Sequence, residues 1–327
     1  MRLLRSFRRV ALLIVLLIGS ATPAVTYAQF GGLGGLRKAA GGIARRLTPD
    51  EALRGAAPIT TSLPDARWGV DSLDRFTPPD PKRPLHTLLR TPTGGFVLQP
   101  GYYAFHDQSY CLHAGTHGPG GGDGYLYAPP LGPAQDAVTS IVRNSVQHPE
   151  IPQHDIQGLL WAIIARAKFE NLSAAYKVTA QRLLTPTQLA TLNRSALDLV
   201  PGAVTAAMLD RMPPLVRQVA AAEAELRQLL TTPGTSFEAL ERAAVLAGMA
   251  PVGTGSRATP EGRWSLHPDG YYVRYLPQSY SHTVVEIWVP VGSAGVGHEY
   301  DPATHIAVPG NTARQRLIQS GRAYDTR

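Results

Sequence analysis

The stretch from Gln108 to Pro130 reads QSYCLHAGTHGPGGGDGYLYAPP and holds the one cysteine of the chain, Cys111, just before a glycine-rich loop. A thiolate is a strong nucleophile, so a cysteine at a strand end beside a loop is a candidate for covalent chemistry. The plainer role of a free cysteine is a small buried core residue. A cysteine hydrolase or transferase built on Cys111 would need a base and an orienting group, and His154 with Asp155 offers both types. Activated cysteines of that kind commonly sit at a helix N-terminus, where the dipole favours the thiolate. Gly115, Gly118 and Pro119 preclude an immediate helix after Cys111. His113 and His117, with Asp107 or Asp123, would make a metal set only if folded together. The stretch lacks helical character, and no H-E-x-x-H, paired CxxC or EF-hand pattern is present. Loop histidines are the expectation, with neither metal nor cofactor. GPGGGDG lacks the Gly-Lys-Ser/Thr ending of a phosphate loop and does not recur as calcium-binding glycine repeats do. It reads as a flexible flap beside the thiol.

The elements that must position these groups fall into three textures. Residues 67–132 carry short apolar and aromatic runs such as GGFVLQPGYYAF and GYLYAPP, punctuated by Gly and Pro, which predict strands and turns. Residues 133–250 show apolar residues at three- and four-residue spacing in five segments: AQDAVTSIVRNSV, DIQGLLWAIIARAKFENL, TPTQLATLNRSALDLV, PPLVRQVAAAEAELRQLL and TSFEALERAAVLAGM. Prolines at their borders mark five helices. Residues 251–327 return to strand character in RWSLHPDGYYVRYLP and HTVVEIWVPV, a hairpin by its turn signals, followed by a polar tail expected to fray or dock as a short helix. The fold class is therefore α+β: a β subdomain interrupted by a helical one of about five helices, with C-terminal strands. Those last strands are expected to complete the first sheet, which is otherwise short of strands. Aromatics among them (Trp264, Tyr271, Tyr272, Tyr275, Tyr280, Trp288) are expected to divide between core and surface as strand residues alternate.

The N-terminus bounds the setting. Arg2, Arg5, Arg8 and Arg9 precede the apolar run Val10–Ile18 and the small residues up to Ala28, the pattern of a secretory signal peptide over 1–28. That run is too short to span a bilayer, so no membrane anchor is expected in the mature chain. Export to the periplasm, cell surface or medium follows. Residues 29–66, rich in Gly, Ala and Pro, read as a flexible tether. The four leader arginines make up more than half of the formal charge of +7. The mature chain is then only mildly basic, with no Lys/Arg block interleaved with aromatics, which argues against nucleic acid as a partner. One cysteine in an oxidising compartment cannot form an internal disulfide.

Two short motifs, taken in order, add a resemblance. Tyr110-Cys111-Leu112 and Ile156-Gln157-Gly158-Leu159-Leu160-Trp161 resemble the cysteine and glutamine motifs of the thioester domains of bacterial surface adhesins. The order of elements between them is similar too: cysteine on a strand, a glycine-rich loop with Tyr125, a helix, then the glutamine. Ile156 and Leu159 differ from the threonine and small residue usual in that family. The resemblance implies a bond between Cys111 and the Gln157 side chain, with Tyr110, His113, Tyr125 and Trp161 in support. Attack of the thiol on the carboxamide with loss of ammonia gives an internal thioester, an acylating group for an amine such as a lysine on a surface protein or envelope component. Formation needs near-attack contact and donors for the oxyanion, for which loop amides, His113 and Tyr125 are candidates. The expectation is an exported adhesion or binding protein that reacts once. The alternatives are the cysteine hydrolase or transferase and a non-reactive interaction module that keeps the fold.

Overall fold

The computed structural model describes residues 57–59, 63–120, 122–198 and 213–324, with the side chains of 195–198 outside that description. The leader expected over 1–28 and most of the tether expected over 29–66 lie outside the described residues. The end of that tether is no linker: Ile59, Leu63 and Ala66 are buried, and the Ala134 N–H donates to the Pro58 carbonyl. Three apolar side chains spaced along the segment are enough to dock it on the core.

The fold is α+β. The first strands are β1 (Lys82–Pro84), β2 (Phe96–Val97), β3 (Gly101–Cys111), β4 (Thr116–His117) and β5 (Tyr125–Ala128). Six α-helices follow among the described residues: α1 (Gln135–Ser145), α2 (Gln153–Ile164), α3 (Ala174–Leu183), α4 (Pro186–Asp198), α5 (Pro214–Thr231) and α6 (Phe237–Ala244). The chain then returns to strands β6 (Val245–Leu246), β7 (Ser265–Leu266), β8 (Tyr272–Pro277), β9 (His282–Val289), β10 (Glu299–Tyr300), β11 (Ile306–Pro309) and β12 (Leu317–Ala323). The helix α3 was not among the five expected. Its AAYKVTAQRL buries only Thr179, Ala180 and Leu183, too thin an apolar stripe to stand out.

One sheet runs β5-β11-β12-β3-β9-β8-β7, joining strands from both ends of the sequence. It nearly closes, since the Tyr127 N–H of β5 donates to Ser265 Oγ of β7 at 3.1 Å. The polar tail corrects its expectation: Leu317–Ala323 is a strand inside this sheet, between β11 and β3. Leu317 and Ile318 supply the burial, and its polar Gln319 and Ser320 are also buried. The aromatics of β8 and β9 alternate, Tyr275 buried while Tyr272 and Trp288 are half-buried.

β3 is the axis of the sheet, and its two edges differ along their length. One edge pairs with β1 at Tyr102–Ala104 and with β12 from Asp107 to Cys111. The other pairs with β9 only from Gly101 to Gln108. Beyond Gln108 that second edge has no strand, and α2 lies there instead. α2 starts after Pro152, whose fixed φ suits a helix start. Every residue from Ile156 to Ile164 is buried, which makes it the central helix of the layer. It stops short of the expected Leu172, because Arg166 takes a left-handed φ of 54°. The N–H groups of Arg166 and Ala167 return to the carbonyls of Ile163 and Ala162, a Schellman ending.

Candidate functional site

The edge that β9 leaves open is filled by side chains of α2. Gln153 and Gln157 are four residues apart and so share a helix face. Gln153 Nε2 donates to the carbonyls of Ser109 at 3.2 Å and Ser281 at 2.7 Å. Gln157 goes further and takes both backbone groups of Cys111. The Cys111 N–H donates to Gln157 Oε1 at 2.8 Å, and Gln157 Nε2 donates to the Cys111 carbonyl at 3.1 Å. Cys111 pairs with Leu317 on its other side, while Leu112 N–H donates to the Arg316 carbonyl at 2.9 Å. Antiparallel pairs alternate between bonded and non-bonded. Cys111 stands at a non-bonded position toward β12, so its N–H and C=O face the Gln157 carboxamide.

This brings together the two residues that the motifs singled out, 46 positions apart. Cys111 is 0% and Gln157 2% exposed. The thiol hangs from the Cα between the two backbone groups that hold the carboxamide. The N–H on Gln157 Oε1 is an oxyanion donor already in place for attack on the carboxamide carbon. It is neither a loop amide nor His113 nor Tyr125, the donors expected. Neither of those two side chains is hydrogen-bonded to Gln157. His113 Nδ1 and Tyr125 Oη are buried without a partner. Burial, helped by Arg316, brings the His113 pKa down to about 3, so its ring is neutral. Burial pushes the Tyr125 phenol up, so it too is neutral. Burial first, and the Glu241 charge second, raise the Cys111 thiol well above its ordinary value. The resting sulfur is therefore a thiol.

A pocket of about 240 Å³ opens on the site, lined by Ser109, Gln153, His154, Gln157, Phe237, Tyr280 and Ser281. Gln157 borders it and Cys111 does not. Trp161 lies behind, fully buried, its ring stacked on Phe237 with centroids 5.6 Å apart. Tyr110 Oη donates to Gln108 Oε1 at 3.0 Å and stays remote from the carboxamide's hydrogen bonds. His154 Nε2 lies 3.2 Å from Asp155 Oδ1, a half-exposed pair at the pocket rim.

The glycine loop corrects the expectation of a flexible flap. Asp123 Oδ2 accepts from the Gly120 N–H at 2.9 Å and forms an ion pair with Arg314, 2.9 Å from its Nε, and Arg314 Nη1 donates to the Gly118 carbonyl at 2.7 Å. Gly124 and Gly310 add backbone bonds to the C-terminal segment. Asp107 is also accounted for without a metal: both its oxygens accept the Gly321 N–H, at 2.9 and 3.1 Å. No group of three or more His, Cys, Asp or Glu among the described residues is arranged to hold a metal ion. No described helix is long and apolar enough to cross a membrane.

Gln153, Phe237, Glu241 and Tyr280 belong to the site and were not picked out for it in the sequence. The i, i+4 repeat of glutamines was a readable signal. Glu241 has none, because it reaches the site only through the packing of α6.

No protein-family model matches the chain, and no curated protein or solved structure matches it.

Proposed function

We propose that the protein is an exported, thioester-domain-like adhesion or binding factor whose Cys111 and Gln157 form an internal thioester that captures an amine on a surface partner. The observation that carries the reading is the double hydrogen bond between the Gln157 carboxamide and the Cys111 backbone. It holds the carboxamide against the cysteine, where a near-attack contact would be worth a large effective concentration, and it gives the carboxamide oxygen a donor.

The steps balance as follows. Sγ of Cys111 bonds to Cδ of Gln157, the Cδ–Nε2 bond breaks, and the thiol proton leaves with nitrogen as ammonia. An amine entering the pocket then bonds to Cδ, the C–S bond breaks, and the amine's proton returns to sulfur. The product is an amide to the partner and a free thiol, and the protein does not turn over. The pocket borders Gln157, the residue that carries the acyl carbon, which suits capture by an amine. A hydrolase with Cys111 as nucleophile would need the sulfur in contact with the substrate cavity and a base beside it. Here the sulfur does not line the pocket and His154 faces Asp155 at its rim.

The test is peptide mapping of the mature protein by mass, before and after methylamine. Cross-linked Cys111 and Gln157 peptides lacking one ammonia, opened by methylamine with its addition to Gln157, are the expected result. An alkylatable Cys111 together with an intact Gln157 amide overturns the reading.

A further inference from the structure

We propose that Tyr280, backed by Glu241, is the proton-transfer pair of this site, a reading that rests on the thioester proposal. Both the formation and the opening of a thioester must move a proton between sulfur and nitrogen. Tyr280 is placed for this transfer. It sits between β8 and β9 and lines the same pocket as Gln157. Its hydroxyl donates to Glu241 Oε1, so the carboxylate of α6 stands directly behind the phenol. The backbone carbonyl of Tyr280 accepts from Ser109 Oγ at 3.1 Å, which ties the loop to β3 two residues from the thiol.

The Glu241 charge helps hold the thiol protonated, and a thiolate at Cys111 would in turn raise Tyr280. As sulfur attacks Cδ, Tyr280 Oη takes the thiol proton while passing its own to Glu241. The same relay run backward protonates Nε2 as ammonia leaves. In capture, the amine proton follows the first path, and the departing sulfur recovers it by the second. Glu241 begins and ends each step as a carboxylate. In this proposal Tyr280, which shares the pocket with Gln157, exchanges the proton, and Glu241 is the positioning residue and proton store behind it.

His154 is the rival base at the pocket. Its ring lies 5.4 Å from Phe237 by centroid and pairs with Asp155. It has no link to the thiol comparable with that of Glu241.

The experiment uses the full mature chain as wild type, Glu241→Gln, Glu241→Asp, Tyr280→Phe and His154→Gln. It measures the cross-linked fraction by peptide mapping and the rate of methylamine incorporation. Glu241→Gln is isosteric and can still accept the Tyr280 hydrogen bond, so it keeps the packing while losing the proton store. Glu241→Gln and Tyr280→Phe are expected to slow incorporation, or the formation of the cross-link itself, by about 100-fold, the usual size of a lost acid–base group. Glu241→Asp should recover most of the rate, which a packing role alone would not produce. Folded Glu241→Gln and Tyr280→Phe proteins that cross-link and react at the wild-type rate would overturn the pair. So would a loss confined to His154→Gln. A wild-type protein with no cross-link defeats the thioester reading itself and this pair with it, a result distinct from unchanged variants in a cross-linked background.

Discussion

The C-terminal half of β3 carries a titratable side chain at each end, Asp107 and Cys111, four residues apart and therefore on one face of the strand. Both are fully buried. At Asp107 the side chain does the work: its carboxylate accepts the N–H of Gly321, whose φ of 79° lies in the irregular stretch of β12 between Gln319 and Ala323. Its burial is explained by a backbone that needs an acceptor. At Cys111 the roles are reversed. The backbone takes the hydrogen bonds, from a glutamine standing in for a missing strand, and the sulfur contributes nothing to them. A buried polar group that completes a backbone has a structural task finished in the fold. The thiol at Cys111 has no such hydrogen-bonding task, and the thioester we propose would give it a chemical one.

The largest effects should come from pulling that second arrangement apart. Gln157→Leu would leave a buried N–H and a buried C=O of Cys111 without partners, at about 1–3 kcal/mol each. Cys111→Ala keeps both backbone bonds and, with no covalent link to lose, should cost only about 1–2 kcal/mol for the lost packing. If the thioester closes the loop between Cys111 and Gln157, the same substitution removes a cross-link worth about 4 kcal/mol more by loop-closure entropy. Urea unfolding of the two variants beside wild type reads the difference. Gln157→Leu loses the same cross-link besides its hydrogen bonds, so we expect Cys111→Ala to cost about 5–6 kcal/mol and Gln157→Leu more. A Cys111→Ala protein nearly as stable as wild type would reduce Gln157 to a cap on a strand edge.

The Asp107 end can be sharpened by pH. Burial raises the Asp107 carboxyl well above the ordinary aspartate value. Its folded pKa exceeds its unfolded one, so its contribution is full below about pH 3.9 and is lost as pH rises through that window. His305 has the opposite sign. It is buried with Nε2 2.7 Å from Tyr271 Oη and Nδ1 2.8 Å from the Asp301 carbonyl. Burial takes its pKa down to about 3. Its contribution is full above the unfolded value of about 6.5 and is lost as pH falls toward 3. Each group has a slope of about 1.4 kcal/mol per pH unit while it titrates, and above about pH 4 the two oppose each other. Denaturation between pH 4 and 7 should therefore show Asp107→Asn becoming more acid-sensitive than wild type and His305→Gln less so. Parallel curves for all three proteins would contradict the assignment.

How much of this was legible depends on whether a residue's partner lies within its own element. The strand of Cys111, the start of α2 after Pro152 and the β8–β9 hairpin follow from local pattern, and so did the α+β class. The pairing of Cys111 with Gln157 came from a resemblance of short motifs, and no local pattern supplies it. What brings the Gln157 side chain to the Cys111 backbone is the early end of β9, which is a property of the sheet. The same holds for the tail: RLIQSGRA reads as polar until β3 and β11 provide partners for it. The glycine loop reads as a flap because Arg314, which holds it, lies almost two hundred residues away.

A smaller effect probes the helix that delivers Gln157. A Cβ at Gly158 would meet the Tyr176 ring at 2.4–2.5 Å. Gly158→Ala therefore forces the Tyr176 side chain or the helix carrying it to give way, at about 1–3 kcal/mol. A shift of α2 would also misplace the neighbouring carboxamide. Cross-link yield should then fall along with thermal stability, whereas a loss of stability with full yield would show that Tyr176 alone moved.

The least costly change should be at the loop, and it separates the neighbourhood of the thiol from the thiol's own attachments. Asp123→Ala removes the acceptor of the Gly120 N–H and the ion-pair partner of Arg314, and frees the glycine segment on that side. The pair is largely but not wholly buried, so the stability cost should be about 1 kcal/mol. None of its bonds involves Cys111 or Gln157, whose mutual geometry is set by the end of β9 and the face of α2. Asp123→Ala should therefore leave the cross-link yield and the methylamine rate at wild-type values while raising proteolysis within residues 117–124. A fall in yield without unfolding would mean that the loop shields the site, and that the strand edge alone does not hold the two side chains in reacting position.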